Sequence, residues 1–93
     1  NKILDCKIIN SNEYHSFIFE SDEKVKFKIR NSKNIISEGF HNYEITKDLI
    51  IIYNHDVLPM RVETHINLKN LKMKTGVFTN RNPLVRRGEC SFR

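Results

Sequence analysis

The sequence predicts an all-β fold: a small antiparallel barrel or sandwich of about eight short strands, in a single domain over residues 1–93. Three observations carry this. Apolar and polar residues alternate with period two in several stretches, most cleanly in Lys24-Val25-Lys26-Phe27-Lys28-Ile29-Arg30. Turn-forming clusters recur at intervals of roughly 8–12 residues, the spacing of β-sandwiches and barrels. No segment long enough for a helix shows a 3.6-residue apolar repeat, and Ala, the best helix former, is absent.

The elements follow in order. Leu4-Asp5-Cys6-Lys7-Ile8 alternates and forms a first strand with Cys6 on its apolar face. Tyr14 to Phe19 is the second, with Phe17 and Phe19 inward. Ser21-Asp22-Glu23 turns the chain into the third, where Val25, Phe27 and Ile29 point one way and four cations the other. Asn31-Ser32-Lys33-Asn34 is a polar break, and Ile35-Ile36 reads as a short strand or a bend. Gly39 precedes a strand from Phe40 to Ile45, and Lys47-Asp48 turns into Leu49 to Tyr53, apolar on both faces and therefore central. Asn54-His55-Asp56 reads as a loop, and Pro59 marks an edge or a strand entry. In the next strand Met60, Val62, Thr64 and Ile66 are expected inward and Arg61, Glu63 and His65 outward. Asn67-Leu68-Lys69-Asn70 is a turn. Leu71 to Thr75 alternates with Lys72 and Lys74 outward, and Gly76 permits a bulge or bend. Thr79-Asn80-Arg81-Asn82-Pro83 is a loop before the last strand, Leu84 to Phe92, which contains Cys90.

The longest apolar run, Leu49 to Tyr53, falls far short of the ~20 residues of a membrane-spanning helix. Only 3 Gly and 2 Pro among 39% hydrophobic residues argue against disorder. Of the 2 cysteines, Cys6 sits near the start and Cys90 near the end, neither a zinc-ligand cluster nor a C-x-x-C pair. They are either two buried thiols or a disulfide. The bridge is expected, because a barrel sets first and last strands side by side. It would close a long loop, for which chain entropy predicts a gain of ~4–5 kcal/mol. A disulfide in turn implies an oxidising compartment. The chain begins at Asn1 rather than Met, which fits removal of a signal peptide and equally a trimmed chain.

The formal net charge of +5 is unevenly spread. Residues 1–68 carry nine basic and ten acidic residues; residues 69–93 carry Lys69, Lys72, Lys74, Arg81, Arg86, Arg87 and Arg93 against Glu89 alone. Such asymmetry points to an anionic partner: nucleic acid, an anionic envelope surface or an acidic protein. The plain alternative is a solvated face that keeps a small protein soluble. If the strands flanking Thr79 to Pro83 pair as a hairpin, Lys72, Lys74, Arg81 and one of Arg86 or Arg87 gather outside. Lys72, Lys74, Arg81, Arg86 and Arg87 are therefore the partner-binding candidates.

Catalytic signals are weak. His15 and Ser16 are strand neighbours and point to opposite faces, so they form no dyad. His55-Asp56 has no nucleophile beside it. His15, His41, His55 and His65 lie on different elements in no metal-binding spacing, and each reads as a surface residue. The glycines Gly39, Gly76 and Gly88 are isolated and make no phosphate loop. No cofactor or metal is expected. Nucleic-acid recognition is disfavoured, because only Phe78 and Phe92 supply aromatics in the basic third and no known module pattern occurs.

The Cys in the first strand, Tyr43-Glu44-Ile45-Thr46 as Tyr-x-Ile-Thr, Ile66-Asn67 at a turn and the closing Gly88-Glu89-Cys90 as Gly-x-Cys resemble small periplasmic β-barrel proteins of Gram-negative bacteria. The layout is similar to that of the membrane-bound and periplasmic inhibitors of C-type lysozyme. The resemblance covers most of the chain in layout and implies the barrel fold and a periplasmic or secreted location. It does not extend to the family's Ser-Gly-containing inhibitory loop, since Gly39 follows Ser37-Glu38. A +5 chain would also meet a basic lysozyme with like charge.

The expectation is an exported binding module rather than an enzyme, engaging an acidic protein as an immunity protein or inhibitor would. Two alternatives are a carrier of a small apolar ligand in the barrel interior and a non-specific nucleic-acid binder working through the basic C-terminal third. A carrier requires an open apolar cavity of several hundred Å³.

Overall fold

Period-two alternation makes each strand two-faced, and a strand with one apolar face is stable only when that face is covered. The chain achieves this by rolling its own sheet shut. A computed structural model describes residues 2–57, 60–78 and 84–93, with backbone alone at 55–57 and 60. The strands are β1 (Lys2–Ile8), β2 (Tyr14–Phe19), β3 (Lys24–Arg30), β4 (Ile35–Thr46), β5 (Leu49–Val57), β6 (Met60–Asn67), β7 (Lys72–Val77) and β8 (Leu84–Phe92). Each pairs antiparallel with the next and β8 pairs with β1, which closes an eight-stranded up-and-down barrel. The described residues contain no helix, and none that could cross a membrane.

The interior is lined in the expected register. Leu4, Cys6, Ile8, Phe17, Val25, Ile50, Ile52, Ile66 and Met73 form the buried core, with Phe19, Phe27, Tyr43 and Leu68 packed against it. Cys6 lies directly opposite Cys90 across the β1–β8 seam, their Cα atoms 3.9 Å apart, and the two form a disulfide. The barrel is thus closed by a hydrogen-bonded ladder and by a covalent link at the same place.

Four local features differ from the sequence reading. Ile35-Ile36 and Phe40–Ile45 belong to one strand, because Gly39 continues β4 opposite Phe27. A Cβ there would stand 3.1 Å from the Phe27 ring, so the missing side chain is what lets the ring lie against the strand. Asn54-His55-Asp56 is part of β5, not a loop. The register shifts between Tyr53 and His55, leaving Asn54 as the extra residue of a bulge, and its Oδ1 accepts a 2.6 Å hydrogen bond from Thr64. Thr64 in turn lies 2.8 Å from Thr75 on the next strand, so Thr75 donates to it and the buried hydroxyls satisfy one another. Leu71 adopts a positive φ of 56° as a turn residue, and β7 starts one position later. Gly76 interrupts no register, although its φ of 143° is one that a residue with a side chain rarely adopts.

Candidate functional site

The basic third of the chain enters the barrel wall as β7 and β8, and alternation sorts its cations between two faces. On β7, Met73 and Thr75 are buried, which turns Lys72 and Lys74 outward. On β8, Gly88 and Cys90 face inward, so Arg87 and Glu89 point outward. Register then fixes neighbours: His65 of β6 lies opposite Lys74, and Lys74 opposite Arg87. The next row places Lys72 and Lys7 on either side of Glu89. The tight loop before β7 is held by its own side chains. Asn67 Oδ1 accepts from the amide of Lys69 at 2.8 Å, and Asn70 Oδ1 from the amide of Lys72 at 3.0 Å.

These residues border a groove of about 430 Å³ on the outside of the barrel, with Lys72, Lys74 and Arg87 among its walls. One end is formed by Phe78, whose ring stacks on that of His65 with centroids 3.9 Å apart and planes 9° from parallel. His65 Nε2 also lies 2.8 Å from Glu63, which fixes the imidazole from its edge. The groove therefore offers a flat aromatic pair beside three cations.

Pairing separates the cations more sharply than position does. Lys69 pairs with Asp48 at 3.4 Å, Arg86 with Glu13 at 2.8 Å and Arg93 with Asp5 at 2.8 Å. Among the described residues, Lys72, Lys74 and Arg87 have no salt-bridge partner. Three of the five candidates thus share one concave surface. Arg86 does not join them: it turns to the face of Gly88 and Cys90 and makes a two-pronged contact with Glu13 at the barrel's end. Arg81 and the Thr79–Pro83 loop lie outside the described residues, as do Pro59 and the side chains of His55 and Asp56.

Arg86 belongs to a structural cluster that the sequence does not announce. Glu13 accepts from Arg86 and lies 2.8 Å from His15 Nε2, and the His15 ring is buried opposite Cys6. The Arg86 hydrogen bond holds the Glu13 carboxyl below its ordinary value. Burial pushes His15 down, against the opposing pull of Glu13. On the outer wall nearby, Asp5 is held low chiefly by Arg93 and accepts a 2.6 Å hydrogen bond from Ser16. The reading of every histidine as a surface residue therefore fails at His15. His41 is half-buried and stacks on Phe27 at 4.1 Å. Among the described residues, no group of three or more His, Cys, Asp and Glu side chains is placed to hold a metal ion.

His65 and Phe78 are the groove residues whose meeting the sequence signals least. The alternation of β6 does put His65 outside, but nothing in the sequence says that Phe78, thirteen residues later, returns to cover it. No protein-family model, curated protein or solved structure matches this chain.

Proposed function

We propose that the protein is an exported binding module that captures an acidic polypeptide in the groove walled by β6, β7 and β8, as an immunity protein or an inhibitor would. The observation that carries this reading is that Lys72, Lys74 and Arg87, without a salt-bridge partner among the described residues, converge on one concavity beside the His65–Phe78 pair. Exposed cations gathered on a concave surface attract a carboxylate that fits among them and steer its approach. The disulfide is compatible with an oxidising compartment and so with export to the periplasm or beyond. The resemblance to lysozyme-inhibitor barrels suits this reading in architecture, with the contact surface moved from a loop to the barrel wall. A polypeptide suits the groove better than a nucleic-acid strand. Glu89 stands among the cations, Glu63 bonds the groove's His65, and one face of Phe78 is already taken by His65. A backbone-tracking nucleic-acid site needs a continuous basic path and free aromatic faces.

The test uses two charge reversals of equal size. Lys72→Glu/Lys74→Glu/Arg87→Glu removes the groove cations; Lys24→Glu/Lys26→Glu/Lys28→Glu removes three from the outer face of β3. With poly-glutamate at low salt, amide and ring NMR shifts should appear at His65, Lys74, Phe78 and Arg87, vanish in the first variant and persist in the second. Shifts scattered over the surface, equal losses in both variants, or tighter binding of an equally charged oligothymidylate would sink the assignment.

A further inference from the structure

One end of the barrel is an open apolar mouth, and we infer that it is a binding site for a small amphiphilic cation, an alkyl or aryl group carrying an ammonium. The inward register that builds the core continues past it at this end: Phe19 of β2, Tyr43 and Ile45 of β4, Ile50 of β5 and Phe92 of β8 all turn to the interior face. Together with Leu68 they line a cavity of about 330 Å³. That volume falls within the ~300–1,000 Å³ range of small-molecule sites, and the mouths of β-barrels are common places for them. The lining is not satisfied by the chain itself. Ile45 is 55% exposed and Phe92 50% exposed, although both sit in a concavity rather than on a convex surface.

The mouth is also held in shape. Tyr43 donates its hydroxyl to the Ser21 carbonyl at 2.5 Å, and its amide bonds the Glu23 carbonyl at 3.1 Å, which ties the β2–β3 turn to β4. The Leu68 amide bonds the Asp48 carbonyl at 2.7 Å, which ties the β6–β7 loop to the β4–β5 turn. The β2–β3 turn and the β6–β7 loop are thus each anchored at this end, and a ligand entering would spend little on ordering them.

The rim selects the charge. Glu20 and Asp22 border the opening, and Glu23 belongs to the same turn; among the described residues Lys2 is the one cation lining it. None of the three carboxylates has a salt-bridge partner among the described residues. Burial holds the Tyr43 hydroxyl above its ordinary pKa, and the charge of Asp22 adds to the shift. Inside the rim are three aromatic rings, two of them, Phe19 and Tyr43, packed edge to face at 5.1 Å. Aromatic faces below carboxylates are the combination that recognises alkylated ammonium groups, through cation–π attraction and Coulomb attraction together. An acyl chain with an anionic head would meet the same carboxylates with repulsion.

The experiment titrates octyltrimethylammonium and octyl sulfate, each below its micelle-forming concentration, and follows binding by NMR and calorimetry. The ammonium should bind one per chain, shift Phe19, Tyr43, Ile45, Leu68 and Phe92, and bind about ten-fold more tightly than the sulfate. Glu20→Gln/Asp22→Asn, two surface changes, should remove that preference while leaving the melting temperature unchanged. Ile45→Trp should fill the mouth and abolish binding. Absence of saturable shifts at the mouth, equal affinity for the two detergents, or a preference that survives Glu20→Gln/Asp22→Asn would overturn the inference.

Discussion

Arg86 and Arg87 are consecutive on β8 and belong to different regions of the molecule. Arg86 faces the barrel's end, where Glu13 holds it in two hydrogen bonds and His15 completes the group. Arg87 stands on the outer wall beside Lys74, a like charge directly across the strand pair, and has no salt-bridge partner among the described residues. Like charges opposite one another in a sheet are mildly destabilising. The difference shows where the fold spends its carboxylates. Asp5 and Glu13 serve the seam region that closes the barrel, and the wall of β6 to β8 is left with surplus cations. The seam pairs its charges, and the wall leaves Lys72, Lys74 and Arg87 without salt bridges among the described residues.

Three experiments put that contrast at risk. The largest effect belongs to the seam. Reducing Cys6–Cys90 should lower the melting temperature by tens of degrees, since ~4–5 kcal/mol of loop entropy acts on a domain where each ~1 kcal/mol moves the midpoint by ~4–8 °C. Thermal scans with and without reductant read this directly, and a shift of only a few degrees would mean the ladder alone closes the barrel.

Next comes the Glu13 group. Arg86→Ala should cost about 1 kcal/mol at neutral pH, the discounted value of a half-exposed two-pronged pair. The pH dependence sharpens this. His15 and His41 are held below the ordinary 6.5 by burial, so below that pH the unfolded chain binds protons first. Stability from these two is complete above about pH 6.5 and falls as the pH drops through their folded values. Glu13 and Asp5 are held below their ordinary 4.5 and 3.8, so their contribution is present above those values and lost as the pH falls further. In Arg86→Ala, urea denaturation should show the cost shrinking below pH 4.5, and NMR should show His15 titrating at higher pH, because a cation that opposed its protonation is gone. A His15 titration unmoved by the substitution would detach Arg86 from the cluster.

The smallest effect belongs to the wall. Lys74→Glu places an anion opposite Arg87 and should stabilise by ~0.2–1 kcal/mol, whereas Lys28→Glu, opposite Glu38 on β4, should destabilise by a similar amount. Thermal melts of the pair in low salt measure both signs. If Lys74→Glu destabilises, the wall cations have partners that matter to folding and the contrast collapses.

Period two made much of the fold readable. The inward sets Leu4-Cys6-Ile8 and Thr64-Ile66 and the outward Lys72 and Lys74 all follow from it, and so does the bridge once first and last strands are side by side. Alternation tells a residue which face it occupies and says nothing about what stands opposite. Glu13 and Arg86 are 73 positions apart and meet only because β8 closes on β1. Lys74 beside Arg87 follows once the β7–β8 hairpin is drawn, but which of Arg86 and Arg87 joins it, and that Phe78 lies over His65, do not. Polar segments were the other blind spot. Asn54 reads as loop because it is polar, yet a bulge turns its amide onto buried Thr64 and the strand continues.

The bridge across the seam also decides how the molecule responds to force. Cys6 and Cys90 are separated by 84 positions, and a chain of that length, pulled straight, spans roughly 280 Å. With the two ends of that segment covalently joined, tension applied before Cys6 and after Cys90 travels through the sulfur–sulfur bond and bypasses every strand between them. Only the short strand ends outside the bridge can peel. A protein held by those ends in a strained assembly would transmit load as a rigid link, and reduction would turn the same link into a long, extensible tether.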